Sequence, residues 1–105
     1  MSLFLSSGLV HAQNVWTGKK KVTSVQVIND GGFVIYFDSE ISPGCTHAGT
    51  NALSIYSGQG VVTDAGLKSL LSAALTAFTA GKFINVMYDD STVYCWGTYV
   101  TISST

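Results

Sequence analysis

A mainly β domain of five strands, with one helix between the third and the fourth, is the fold class predicted by three observations. Short β-branched and aromatic runs recur along the chain, one long segment switches to helical periodicity, and clusters of Gly, Asn and Asp punctuate the boundaries. The chain has 105 residues and is 47% apolar, enough to bury one sizeable core in one domain.

The elements follow in order. Val22-Thr23-Ser24-Val25-Gln26-Val27-Ile28 reads as a first strand, β-branched and with apolar residues alternating at 25 and 27. Asn29-Asp30-Gly31-Gly32 supplies turn chemistry, and Phe33-Val34-Ile35-Tyr36-Phe37 returns as the second strand of a hairpin. Phe33 and Phe37 fall on one face of that strand and Tyr36 on the other. From Asp38 to Thr50 the chain's only proline, Pro43, stands with Gly44 and Gly49, which predicts a surface loop pinned by Cys45. Ala52-Leu53-Ser54-Ile55-Tyr56 makes a short third strand, ended by Gly58-Gln59-Gly60.

Thr63 or Asp64 then caps a helix whose apolar residues Leu67, Leu70, Leu71, Ala74, Leu75 and Phe78 follow three-four spacing. Gly81 stands where a left-handed C-terminal residue is wanted. The other side carries Lys68, Ser69, Ser72, Thr76 and Thr79, so the apolar stripe is core and the helix lies against a sheet. That polar face is small and hydroxylated, which suits packing against further copies of the chain. Phe83 to Tyr88 and Thr92 to Ile102 complete the strands around the turn Asp89-Asp90-Ser91, with Gly97 a bend or bulge in the second. Three strands, a helix and two strands is the order of an OB-fold, a five-stranded partly open barrel with its helix between strands three and four. An open α+β sheet crossed by one helix is the alternative.

Charge narrows the function classes. Only 10% of residues are charged, the formal net charge is -1, and the basic residues are Lys19, Lys20, Lys21, Lys68 and Lys82, with no arginine. Arginine is the residue best suited to forked recognition of phosphate and guanine, so a nucleic-acid role has little support, with contact of the lysine run to a phosphate or an acidic glycan as the alternative to a structural role. The run Lys19-Lys20-Lys21 reads as a solvated guard on a strand edge.

Leu3 to Val10 form a short apolar run that leads to Val10-His11-Ala12, an A-x-A-like cleavage site. Residues 1–12 are read as a signal-peptide remnant and 13–105 as the domain; the alternative is a genuine N-terminal helix or strand using Leu3, Leu5 and Val10. The run is far shorter than the roughly 18 residues of a membrane-spanning helix, so no span is expected. Cys45 and Cys95 lie outside any C-x-x-C pair and are read as one structural disulfide, with two buried free thiols as the alternative. Closing a loop of about 50 residues stabilises a fold by roughly 4 kcal/mol in the chain-entropy model. Signal and disulfide together predict a secreted or periplasmic protein.

Some residues resemble a family. Trp16-Thr17-Gly18 followed by a Val-rich strand, and Phe78-Thr79-Ala80-Gly81 leading into a strand with Ile84, Val86 and Tyr88, are similar to the pertussis-like binding subunits of the subtilase cytotoxin and the typhoid toxin. The resemblance covers pieces of residues 16 to 88. It implies an OB-fold subunit that assembles as a homo-oligomer, a ring of five, and binds sialylated or other glycans. It also implies a glycan pocket built from a Ser early in the first strand and a Tyr after the helix, here Ser24 or Thr23, and Tyr88. Where that family has an acidic residue ahead of the Ser, this chain has the lysine run.

The remaining aromatics carry the binding expectation further, because sugar sites use aromatic faces backed by neutral hydrogen-bonding groups. Alternation puts Tyr94, Trp96, Thr98 and Val100 on one face of the last strand and Val93, Cys95 and Tyr99 on the other, inward one. Tyr94 and Trp96 are therefore candidates for a binding surface or subunit contact. Catalysis has a weaker basis. Cys45-Thr46-His47 sets a thiol two residues from an imidazole, with Asp38 or Glu40 to orient it, but a disulfide to Cys95 consumes the nucleophile. His11, His47, Asp89 and Asp90 do not cluster as metal ligands, and no cofactor is expected. The chain thus reads as a small exported binding protein without enzymatic activity, whose ligand is a glycan or, alternatively, a protein partner that it engages as an interaction module or inhibitor.

Overall fold

The computed structural model describes residues 14–60 and 62–104, so the reading of residues 1–12 as a signal remnant lies outside them. The strands are β1 (Asn14–Trp16), β2 (Lys20–Val27), β3 (Phe33–Phe37), β4 (Ala52–Ile55), β5 (Phe83–Asp89) and β6 (Gly97–Ser103). One helix, α1 (Asp64–Ala80), joins β4 to β5. All strand pairs are antiparallel and form a curled half-barrel.

β2 is where the sheet turns. Its first residues pair with β5 (Lys20 with Ile84, Lys21 with Phe83), whereas from Val22 onward it pairs with β3. Between Val22 and Ser24 the register slips, leaving Thr23 as the extra residue of a bulge, and such a bulge bends and twists a strand. β3 carries β4 on its far side, and β5 carries β6.

The core is drawn from alternating positions. Phe33, Ile35 and Phe37 of β3, Leu53 and Ile55 of β4, and Ile84, Val86 and Tyr88 of β5 are all buried. The hairpin, the loop from 38 to 50 and the helix agree with the sequence reading. Thr63, not Asp64, is the cap: its Oγ1 accepts from the Gly66 N–H at 3.0 Å, while Gly81 takes the left-handed conformation (φ 66) and donates to the Ala77 carbonyl.

Four expectations are corrected. The short strand β1 was not foreseen. It lies along β5 in continuation of β2, with Thr17-Gly18-Lys19 as the interruption; Gly18 has φ 80, and its N–H donates to Asn85 Oδ1 at 3.1 Å. Lys20 and Lys21 do not guard an edge, because their backbone pairs with β5. The Lys20 ammonium donates to Ser39 Oγ at 2.7 Å, and that of Lys21 to the Gly81 carbonyl at the end of α1.

The helical stripe is really two rows. Leu67, Leu70, Leu71, Ala74 and Ala77 face the core, while Leu75 and Phe78 turn outward, 40% and 44% exposed. Small residues at 74 and 77 let the helix settle closely on the sheet, which keeps bulkier neighbours outside the seam.

The last strand begins at Gly97, not at Thr92. Residues 91–96 form a loop, and Cys95 adopts a left-handed φ of 49. Gly97 pairs with Tyr88 but Tyr99 pairs with Met87, so Thr98 is an extra residue and the inward and outward faces exchange. Tyr99 is therefore exposed rather than inward, Val93 is exposed too, and Val100 and Ile102 pack on the core.

Candidate functional site

The predicted disulfide is present: Cys45 and Cys95 are bonded, with Cα atoms 5.6 Å apart and both side chains buried. It fastens the loop between β3 and β4 to the loop between β5 and β6. Its thiols are consumed, so Cys45 is not a nucleophile. Among the described residues no group of three or more His, Cys, Asp or Glu side chains is arranged to hold a metal ion.

The bond's consequence lies at the surface. Cys95 sits between Tyr94 and Trp96, and Cys45 stands two residues before His47, so joining the two cysteines brings the imidazole to the aromatic pair. A backbone hydrogen bond from His47 N–H to the Val93 carbonyl (3.1 Å) closes the same junction. The Tyr94 and Trp96 rings are parallel within 1° with centroids 5.1 Å apart. That distance describes an offset stack, in which each ring leaves part of a face uncovered. His47 is tilted against Tyr94 with centroids 4.7 Å apart, and Tyr56 meets Trp96 edge-on at 5.7 Å. Tyr94 is 44% exposed, Tyr56 and Trp96 are half-buried, and His47 is exposed.

Neighbouring backbone fixes this cluster. Gly32 lies so close beneath Tyr56 that a Cβ there would overlap the ring carbons. Gly32 N–H in turn donates to Asp30 Oδ1 at 3.0 Å, which ties the hairpin turn to the cluster. Burial and the nearby Asp30 carboxylate push the Tyr56 phenol above the usual tyrosine range. Burial and Asp90 do the same to Tyr88, against a smaller opposing effect of its hydrogen bond with Ser42. Both phenols accordingly stay protonated at neutral pH.

A cleft of about 490 Å³ opens beside Asp30, lined by Val27, Ser57, Asp64, Leu67 and Lys68 among others. Ser57 Oγ donates to the Asp64 carboxylate within it.

The sequence-derived site residues divide into three places. Tyr94 and Trp96 come together as a surface pair, on a loop rather than a strand face. Thr23 and Ser24 are exposed at and beside the β2 bulge, past the Phe83 end of β5, whereas Tyr88 is 5% exposed near the opposite end, paired with Val15. The residues suggested by the toxin-subunit resemblance are thus not brought into one pocket. Sequence reasoning missed His47 as a binding residue and did not single out Tyr56 from the other aromatics. A signal for His47 was available, since a 45–95 bond with aromatics at 94 and 96 must carry residue 47 to them. Against this geometry, the chain matches no protein-family model, no curated protein and no solved structure.

Proposed function

We propose that this protein is an exported sugar-binding module built on an OB-type half-barrel, and that the Tyr94–Trp96 stack with His47 and Tyr56 is its binding surface. The single observation behind the reading is the partly uncovered offset stack, held in place by the buried disulfide. Pyranose rings present a face of C–H bonds that packs on aromatic carbon, and polar groups at the rim supply orientation. Rigid presentation matters because a ring fixed in advance loses little entropy when ligand arrives.

Connectivity supports the OB assignment. β2 serves both layers, β3 and β4 continue from it, the helix connects β4 to β5, and β5 returns to pair with β2. The disulfide is compatible with an oxidising compartment. No described helix is long and apolar enough to cross a membrane. Homo-oligomerisation and the toxin-subunit relationship belong to the same reading and rest on the residue resemblance and on the outer helix face.

The test is an immobilised oligosaccharide panel probed with the oxidised protein. Binding is expected, and Tyr94→Ala should weaken it by about tenfold to a hundredfold while circular dichroism is unchanged, as loss of one packed ring implies. Tyr94→Phe should bind as the wild type does. A protein-interaction module is the second reading, favoured by exposed Val93 next to Tyr94 in the same loop. An empty sugar panel together with a protein partner whose capture is lost on Tyr94→Ala would replace the first reading with the second.

A further inference from the structure

We infer that the ligand of the aromatic surface is a neutral oligosaccharide, which runs from the Tyr94–Trp96 stack past Tyr56 into the cleft beside Asp30, and that sialylated chains are rejected. This rests on the sugar-binding reading above and adds to it the length and charge of the ligand.

Continuity comes from three contacts in series. Tyr56 meets Trp96 edge-on, the Tyr56 ring lies on Gly32, and the Gly32 N–H is held by Asp30, which lines the cleft. Tyr56 also precedes Ser57, which lines the cleft, so the ring adjoins a hollow of about 490 Å³, beyond what one monosaccharide on the stack would use. Its apolar lining comes from Val27, Leu67 and Leu71, and its polar lining from Asp30, Ser57, Asp64 and Lys68.

The charges along this path are mostly negative. Carboxylates are acceptors only, so Asp30 and Asp64 suit the hydroxyl donors of a neutral sugar. A sugar carboxylate would meet them as a like charge. Asp90 adds a further negative group on the loop that leads to Tyr94. The chain has no arginine to form a bidentate pair with a carboxylate. Lys20 and Lys21 are engaged with Ser39 and with the end of the helix, and Lys68, the one lysine at the cleft, follows Asp64 by one helical turn. His47, in the cluster itself, is the other basic group on this path.

The experiment compares matched oligosaccharides that differ only in a terminal sialic acid, by calorimetry at low salt, with choline as a cationic control. Neutral chains are expected to bind about tenfold or more tightly than their sialylated partners. Asp90→Asn, or added salt, should narrow that gap while leaving Tyr94-dependent binding in place. Equal or tighter binding of the sialylated chains, or binding of choline alone, overturns the inference; the former would leave the sugar-binding reading standing. Failure of every sugar removes both.

Discussion

Cys95 is the residue at which covalent and conformational demands meet. Among the described residues it is the only non-glycine with a positive φ. An L side chain in that region costs roughly 1–2 kcal/mol. The bond to Cys45 offsets that cost, since closing a 50-residue separation stabilises the fold by about 4 kcal/mol in the chain-entropy model. The left-handed turn aims the Cys95 sulfur into the core while the flanking Tyr94 and Trp96 remain near solvent. Removing the disulfide should thus expose the backbone preference. Cys45→Ala/Cys95→Gly is expected to be more stable than Cys45→Ala/Cys95→Ala by about 1 kcal/mol in urea unfolding, because glycine adopts this conformation freely. Equal stabilities would mean that the turn relaxes once the bond is gone, so that the disulfide imposes the bend.

At the scale of elements, α1 is held at its start by one side chain. Thr63→Ala removes the acceptor for the Gly66 N–H and should cost about 1 kcal/mol in chemical unfolding, with Thr63→Ser close to wild type. A loss below a few tenths would show that the Leu67 packing alone fixes the helix start. This cap was legible in the sequence because its chemistry is local: Thr63, a run of helix formers and Gly81 lie within one segment. The β2–β3 hairpin was legible for the same reason, with Asn29 to Gly32 between two β-branched runs. Non-local choices were hidden. Which of two apolar rows on α1 faces the sheet depends on how closely Ala74 and Ala77 approach it. The outward turn of Tyr99 depends on one extra residue, Thr98, opposite the Met87–Tyr88 step. Of the candidate site, composition revealed Tyr94 and Trp96, whereas Tyr56 joins them only because Gly32 leaves room beneath its ring.

For the molecule as a whole, the half-barrel buries one face of α1 and leaves the other with an unusual surface. Thr76 and Thr79 turn their hydroxyls back onto the Ser72 and Leu75 carbonyls, at 2.8 and 2.6 Å. Those hydroxyls are thereby satisfied within the helix, which makes the face less polar than its composition indicates. With Leu75 and Ala80 these residues line a shallow groove of about 400 Å³, and Phe78 stands exposed on the same outer side. No charged residue lies between Ser69 and Gly81, so nothing on this stretch opposes contact with an identical helix. Exposed apolar surface of this kind marks association in small proteins. Native mass measurement is therefore expected to find oligomers, and Leu75→Lys with Phe78→Lys should yield a monomer of unchanged circular dichroism. Because neither the aromatic stack nor the cleft beside Asp30 includes Leu75 or Phe78, the monomer should keep its affinity for a free oligosaccharide and lose only the added avidity on a dense surface. A monomeric wild type at micromolar concentration would sink this expectation, as would a double variant that still assembles.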